Sequence, residues 1–271
     1  MDYSQFVGIV RERNRPSGGI KTVQEVAVNA FINSSKKILE IGSNTGFTSV
    51  NMSLLTGCKC IGIDINKNSV KEARRYAKIN GVNKLVKFSV YNAEKLPYKK
   101  ESFDCVWCSN VTSFIKNKEK AIKEYIRVLK KNGILIVVPI YYIKKPSNQI
   151  VKKISQALNS EIKIWSKSFW LKLFEEISLK QDTPLQLFYS KDFKYLNREK
   201  YIEEYASNII EKEHIQKYDS KKIKEVKDKI IYFMELFNQN LKYAGYSILL
   251  YQKRVEKEEI ELFLTKKNEY D

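Results

Sequence analysis

The feature that most constrains this chain is a short apolar segment that leads directly into a loop with two glycines. Residues 37–41 read Lys-Ile-Leu-Glu-Ile and predict a buried strand, and Gly42 and Gly46 then stand four residues apart. Glycine is needed where the backbone turns tightly or where a ligand approaches more closely than a Cβ would permit. A strand, a glycine loop and a helix in this order are typical of the ligand-binding corner of an α/β fold.

Apolar segments alternate with helical patterns between residues 36 and 140, which predicts βαβ units and a parallel sheet. Gly81 and Gly133 are predicted to end two of the helices, because glycine favours the left-handed conformation found there. The predicted strands cover residues 37–41, 60–64, 85–90, 103–108 and 134–140. We therefore expect an α/β fold with a doubly wound, mostly parallel sheet and a helical cap or insertion.

The pattern changes after residue 145. A helix over 166–178 and a sixth strand over 184–189 are followed by predicted helices over 198–213 and 220–240 and by a closing strand over 243–252. This order predicts a core sheet interrupted by a helical insertion. The predicted units are an N-terminal helical cap segment (1–35), the ligand-binding core (36–190), a two-helix insertion that caps the substrate (191–242), the closing strand of the core (243–254) and a charged tail (255–271).

The charge is strongly positive and unevenly distributed. The formal net charge of +18 divides into 26 basic and 11 acidic residues over 1–145, and 23 basic and 20 acidic residues over 146–271. A basic surface can attract a phosphate-bearing partner such as nucleic acid. Scattered lysines without an arginine-rich or aromatic stripe are equally typical of an ordinary solvated surface. Both interpretations stay open at this point.

The four cysteines and the lack of a signal-peptide pattern predict a reducing compartment, and we expect a cytoplasmic protein. The longest apolar segment, 134–143, is too short to span a bilayer, so no membrane association is expected. The cysteines fall in pairs on the second and fourth predicted strands, which should lie roughly 10 Å apart across the first strand. We therefore expect no metal site, because tetrahedral ligation needs closer sulfurs.

Polar residues after three of the strands predict a nucleoside site. Glu40 would repel phosphate and would suit an ammonium group, and the G-x-G-x-x-G spacing of pyrophosphate sites is absent. Asp64, 22 residues after Gly42, can accept both hydroxyls of a ribose. Ile65 offers the adenine an apolar contact, and residues 92–94 are placed for hydrogen bonds to its edge.

Four segments in register resemble the class I SAM-dependent methyltransferase superfamily. Residues 39–46 resemble its first motif, and Gly62-Ile63-Asp64-Ile65-Asn66 resembles its second. Residues 92–106 and 127–133 are similar to its D-A-x-x-L-P-F … S-F-D-x-V stretch and its R-V-L-K-P-G-G turn. The likeness covers about residues 36–140. Asn92 replaces the more common aspartate, and Asn44 replaces the usual middle glycine.

The resemblance implies a Rossmann-like core that binds S-adenosylmethionine (SAM) and releases S-adenosylhomocysteine. Ser109 and Asn110, after the fourth strand, are expected where the methyl donor meets its acceptor. The cofactor-binding residues predicted in this way are Glu40, Gly42, Ser43, Asn44, Gly46, Asp64, Ile65, Asn92, Ala93, Glu94, Ser109 and Asn110.

Methyl transfer from a sulfonium is an in-line displacement, so the protein mainly orients the reactants and excludes water. A hydroxyl acceptor would need a base, for which Glu94, Tyr141 and Tyr142 are the candidates. Arg15, Gly19 and the same two tyrosines are the predicted substrate-binding residues, because segments leaving the carboxyl ends of the strands should build the acceptor pocket.

The cap over one pocket predicts a small-molecule acceptor that is methylated on oxygen or nitrogen. An rRNA or tRNA methyltransferase is the alternative, with the basic half as its binding surface. A nicotinamide oxidoreductase and a catalytically silent SAM-binding subunit are further hypotheses. The oligomeric state is not predicted.

Overall fold

A single mixed sheet runs through the centre of the computed structural model, which describes residues 2–254. The predicted tail, 255–271, lies outside the described residues. The strands are β1 (Lys37–Ile41), β2 (Lys59–Asp64), β3 (Val86–Val90), β4 (Phe103–Cys108), β5 (Leu129–Val137), β6 (Ile140–Tyr142), β7 (Leu185–Lys194) and β8 (Ala244–Lys253). The helices are α1 (Tyr3–Ile9), α2 (Ile20–Asn29), α3 (Phe47–Thr56), α4 (Lys67–Ile79), α5 (Lys118–Val128), α6 (Asn148–Leu158), α7 (Lys167–Leu179), α8 (Ile202–Ile210) and α9 (Ser220–Leu241), with short 3-10 helices at Asn110–Phe114 and Glu199–Tyr201.

The strand order confirms the predicted doubly wound α/β fold. Strands β3, β2, β1, β4 and β5 are neighbours in that order, and each adjacent pair is parallel. Strand β8 runs antiparallel to β5, and β6 and β7 both pair antiparallel with β8. Parallel neighbours need a crossover that returns the chain to the same end of the sheet, and helices α3, α4 and α5 supply it before β2, β3 and β5.

Helices cover both faces of the sheet, so the central strands are buried on both sides. Ile38 and Trp107 belong to a hydrophobic cluster that α2, α3 and α4 share on one face. Leu39 and Val106 belong to a second cluster on the other face, with α5 and α7. Alternate residues of a strand point to opposite faces, and both faces are apolar here, which explains the continuous apolar strand sequences.

The prediction that Gly133 ends a helix is wrong. Helix α5 ends at Val128, and Gly133 lies within β5, where the pairing with β4 changes register after Phe103. A Cβ on Gly133 would lie 2.9 Å from the carbonyl oxygens of Asp104 and Lys130. The glycine is therefore required by the close approach of backbones at an irregular pairing of two strands, and not by a helix end.

The predicted fifth strand, 134–140, is two strands. Strand β5 pairs with β8 as far as Val137, and β6 starts again at Ile140 and pairs further along the same strand. Pro139 lies between them and has no N–H to donate to a ladder, which accounts for the interruption.

Helix α6 is missing from the sequence-based prediction. The hydroxyl of Ser147 accepts a hydrogen bond from the N–H of Ile150 and caps its first turn, and Ile154 and Ala157 are buried. A serine followed by apolar residues at helical spacing was the available signal. Two other predicted bounds also differ, since β7 continues to Lys194 and the predicted helix 198–213 contains the shorter α8.

Helices α1, α6, α8 and α9 pack on one another around a hydrophobic cluster of their own, which we call the cap. Phe233 of α9 is at its centre, with its ring centroid 5.3 Å from that of Tyr3 and 5.5 Å from that of Phe6. Residues far apart in sequence, from 3 to 237, contribute to the cluster. Among residues 2–254, no helix is long and apolar enough to cross a membrane.

Candidate functional site

Parallel pairing brings the carboxyl ends of three strands side by side. Ile41, the last residue of β1, is paired with Ile63 of β2 on one side and with Cys108 of β4 on the other. The loop after β1 therefore lies between the residues that follow β2 and those that follow β4. Ligands of open α/β sheets bind at this edge, so the predicted residues of these loops share one candidate site.

The glycine loop is held in a tight, left-handed turn. Gly42, Asn44 and Gly46 have φ angles of +70°, +42° and +85°. A Cβ at Gly42 would lie 2.4 Å from Cγ2 of Val111, and one at Gly46 would lie 2.9 Å from Cβ of Ala73. Both glycines are thus required by backbone conformation and by protein contacts. The sequence argument gave the tight turn and the approach of a ligand as reasons, but not the contacts with Val111 and Ala73.

Asp64 joins the glycine loop to the turn after β2. Its Oδ2 accepts a hydrogen bond from the N–H of Asn44 at 2.9 Å, and its Oδ1 accepts one from the N–H of Asn66 at 2.8 Å. Burial raises the pKa of this carboxyl, and the backbone hydrogen bonds oppose that rise. The neighbouring Ile65 is 74% exposed, so an apolar side chain stands free beside a fixed carboxylate.

Glu40 is a buried acid at the end of β1. Its Oε2 accepts hydrogen bonds from the N–H of Ser49 at 3.1 Å and from the Ser49 hydroxyl at 2.5 Å, and only 5% of the residue is exposed. Burial raises the pKa of Glu40 to about 7, the hydrogen bonds from Ser49 and Thr48 oppose this, and the negative charge of Asp64 adds to it. A cation at this site would therefore stabilise the ionised form.

The loop also presents polar atoms that have no partner. Within the described chain, the Ser43 hydroxyl and Oδ1 of Asn44 are buried without a hydrogen-bond partner. Buried polar groups are normally hydrogen-bonded, so such atoms fit a ligand that supplies donors. Two carboxylates, a hydroxyl and an amide oxygen suit the ammonium group and ribose hydroxyls of SAM, and the residues present fit that group.

The residues after β3 form hydrogen bonds with nearby backbone groups, and Asn92 is exposed. Oδ1 of Asn92 accepts a hydrogen bond from the N–H of Glu94 at 2.8 Å, while Ala93 is buried. One carboxylate oxygen of Glu94 accepts a hydrogen bond from the N–H of Asn117, which caps α5, at 3.2 Å. Glu94 thus contacts the start of α5.

Ser109 and Asn110 form the start of the loop after β4. The Ser109 hydroxyl accepts a hydrogen bond from Nε1 of Trp107 at 2.8 Å. Oδ1 of Asn110 accepts hydrogen bonds from the Ser113 hydroxyl at 2.8 Å and from the N–H of Ile140 at 3.2 Å. Asn110 therefore fixes this loop against the first residue of β6.

The two tyrosines of β6 differ in their surroundings. Tyr141 is buried in the cluster on the face of α5 and α7. Tyr142 is half-buried, and its hydroxyl donates to Oδ1 of Asn240 in α9 at 3.1 Å. Burial raises the pKa of Tyr142 above its ordinary value. β6 is thus joined to the cap through Tyr142.

The N-terminal segment crosses the glycine loop, and we call residues 11–19 the strap. The N–H of Asn14 donates to Oγ1 of Thr45 at 3.0 Å, and the guanidinium of Arg15 lies 5.5 Å from the ring centroid of Phe47. Gly19 has a φ of +60° and precedes the first residue of α2. Arg15 is thus brought to the site, whereas Gly19 serves the start of a helix.

Sequence reasoning missed the residues that fix the strap and the loop after β4. Val111 packs against Gly42, and Thr45 bonds the strap, yet neither was predicted. Thr45 lies within the first motif, and its hydroxyl beside two glycines was the only signal. Val111 gave none, because its partner is 69 residues away in sequence.

Cys60 and Cys105 lie on opposite sides of Ile38, since β1 separates β2 from β4. Within residues 2–254, no group of three or more His, Cys, Asp and Glu side chains could hold a metal ion.

Comparisons with known proteins agree on the class of fold. A solved structure described as the crystal structure of MccD protein has a TM-score of 0.72 at 22% identity, covering 89% of this chain and 100% of that chain. At this level of identity the likeness concerns the fold alone. The norajmaline N-methyltransferase of Rauvolfia serpentina is 31% identical over 132 residues, 45% of each chain.

The ubiquinone/menaquinone biosynthesis C-methyltransferase UbiE of Pseudomonas entomophila (strain L48) is 32% identical over 124 residues, 45% of this chain and 47% of that protein. The chain thus spans about half the length of these two curated relatives. Residues 39–137 match the family model described as "Methyltransferase domain". Residues 39–137 therefore form a methyltransferase domain.

Proposed function

We propose that this chain is an enzyme that binds SAM at the carboxyl edge of β1 and β2 and transfers its methyl group to a small molecule. The observation that carries the proposal is the Asp64 carboxylate, which two backbone N–H groups hold beside the exposed Ile65. A fixed carboxylate next to a free apolar surface suits a ribose and its adenine. The match of residues 39–137 to a methyltransferase domain supports the same ligand.

Glu40 would hold the ammonium group of SAM, and the Ser43 hydroxyl and Oδ1 of Asn44 would accept hydrogen bonds from the ligand. When bound, SAM supplies a methyl group activated by its sulfonium. The chain contributes orientation and exclusion of water, which are the main requirements of an in-line displacement. The strap and the loop after β4 border the site on two sides.

The acceptor atom decides whether the site needs a base to remove a proton. Of the three candidate bases, Glu94 already accepts a hydrogen bond from the N–H of Asn117, and the hydroxyl of Tyr142 donates to Asn240. Tyr141 is buried among apolar side chains. A neutral amine acceptor can lose its proton after transfer and needs no base in the site, whereas a hydroxyl does. We therefore favour nitrogen among the proposed acceptor atoms.

A small-molecule acceptor is the part of the proposal that rests on the cap and on the relatives. The two relatives described above are named as a norajmaline N-methyltransferase and as a C-methyltransferase of ubiquinone/menaquinone biosynthesis. Both names refer to small-molecule substrates. The cap packs through its own hydrophobic cluster, and Lys212 bonds it to the first residue of the strap. We also propose a cytoplasmic location, because the four cysteines are typical of a protein from a reducing compartment. The RNA methyltransferase alternative rests on the basic charge alone.

The role of Asp64 can be tested with Asp64→Asn, which keeps the size of the side chain and removes its charge. Hydrogen bonds to a charged acceptor contribute about 1.5–3 kcal/mol each, so we expect S-adenosylhomocysteine to bind at least about tenfold more weakly. Isothermal titration calorimetry measures this, with the exposed Asp228→Asn as the matched control. Equal affinity of Asp64→Asn and the unmodified chain would contradict the assignment.

The role of Glu40 predicts a pH dependence of stability. Its pKa is about 7 in the folded chain against an ordinary 4.5, so the folded state retains a proton that the unfolded state has lost. The associated stability is complete below about pH 4.5 and is lost as the pH rises to about 7. Above that pH, Glu40→Gln should be more stable than the unmodified chain, by at most about 3 kcal/mol, in urea unfolding.

The same variant should bind the cofactor product more weakly at pH 8, because it lacks the charge that faces the ammonium group. The exposed Glu235→Gln is the matched control and should change neither quantity. A Glu40→Gln variant that is less stable than the unmodified chain at pH 8, or that binds with unchanged affinity, would rule out this role.

The acceptor class can be tested by supplying SAM with a labelled methyl group to a cell extract separated into small molecules and RNA. We expect label in the small-molecule fraction that depends on the enzyme and on Asp64. An RNA methyltransferase would instead label the RNA fraction, with a steep loss of transfer as salt is raised. Label confined to RNA would overturn the small-molecule proposal and leave SAM binding intact.

A further inference from the structure

The strap is bonded to the glycine loop through a single side chain. The hydroxyl of Thr45 donates to the carbonyl oxygen of Glu12 at 3.0 Å and accepts from the N–H of Asn14 at 3.0 Å. Thr45 is fully buried and lies between Asn44 and Gly46 in the loop. One hydroxyl thus satisfies two backbone groups of the strap from within the candidate cofactor loop.

A second attachment joins the strap to α4, the helix that follows Asp64. The guanidinium of Arg13 donates to Oε1 of Glu72 at 2.8 Å and lies 3.9 Å from the ring centroid of Tyr76. Glu72 also binds Arg75 through both oxygens at 2.8 Å, and it is buried. A paired, largely desolvated carboxylate with fixed partners holds its geometry better than an exposed ion pair.

The other side of the strap belongs to the cap. Lys212, which follows α8, donates to the carbonyl oxygens of Val10 and Arg11 and forms an ion pair with Glu12 at 3.0 Å. Val10 is buried in the hydrophobic cluster of the cap. Glu12 therefore bonds the cap through its carboxylate and the glycine loop through its carbonyl oxygen.

We infer that Thr45 and Arg13 are positioning residues through which cofactor binding in the glycine loop orders the cap. This rests on the proposed function, since it takes SAM or its product as the ligand of the loop. A ligand that bonds Ser43 and Asn44 restrains the loop, the loop restrains Glu12 through Thr45, and Glu12 restrains Lys212 and the cap. Because coupling free energy is reciprocal, a cap closed on an acceptor tightens cofactor binding by the same factor.

Hydrogen–deuterium exchange of the full chain, with and without S-adenosylhomocysteine, tests this coupling. Amide exchange reports local opening, so restraint of the cap should slow it. In the unmodified chain we expect about tenfold slower exchange in the peptides of α1 and α8 when the product is bound. In Thr45→Val, which keeps the shape of the side chain, exchange in these peptides should change less than twofold at saturating product.

Thr56→Val, at the far end of α3, is the matched control and should keep the full effect, because its hydroxyl donates to Met52 of its own helix and accepts from the N–H of Cys58, far from the strap. Arg13→Gln should reproduce the loss if Thr45→Val fails to fold. The inference is overturned if bound product slows amide exchange fully in both Thr45→Val and Arg13→Gln. It is also overturned if bound product slows no exchange in the unmodified chain. Failure of the unmodified chain to bind the product would instead refute the proposed function.

Discussion

The pairing of β1 with β2 on one side and with β4 on the other is the constraint on which the rest of the structure depends. It fixes the glycine loop between the residues that follow the two neighbouring strands. The loop then supplies the backbone N–H that holds Asp64, and its own turn is closed by the hydrogen bond from the N–H of Gly46 to the carbonyl oxygen of Ser43. Because apolar clusters cover both faces, a shift of register would expose core side chains, so this arrangement is strongly specified.

The same centre of the sheet carries a cost. Glu40 is buried near the carboxylate of Asp64, and its pKa is raised. The Ser43 hydroxyl and Oδ1 of Asn44, in the loop that follows, are buried without a hydrogen-bond partner. Buried polar groups without partners destabilise a fold, and they are tolerated mainly where a ligand supplies what the protein lacks. The proposed cofactor would supply an ammonium group and hydroxyls at this point. Stability lost in the free protein would thus be regained in the complex.

Much of the core was predictable because its signals are local. Continuous apolar segments ending in Glu40 and Asp64 identified the central strands and the loops between them. Gly133 misled because a glycine after an apolar helical pattern is typical of a helix end, and only its contacts with Asp104 distinguish an irregular strand pairing. Arg15 and Gly19 placed the N-terminal segment beside the site, but the contacts that fix it could not be derived, since the partners of Thr45 and Arg13 lie 33 and 59 positions away.

Contacts join the cap to the strap and the strap to the glycine loop, which in turn bonds Asp64 at the proposed adenosine site. A crystal structure with S-adenosylhomocysteine bound tests that claim most directly. The account predicts both ribose hydroxyls within hydrogen-bonding distance of the Asp64 carboxylate and the adenine against Ile65. Adenosine bound at any other place in the chain would contradict it.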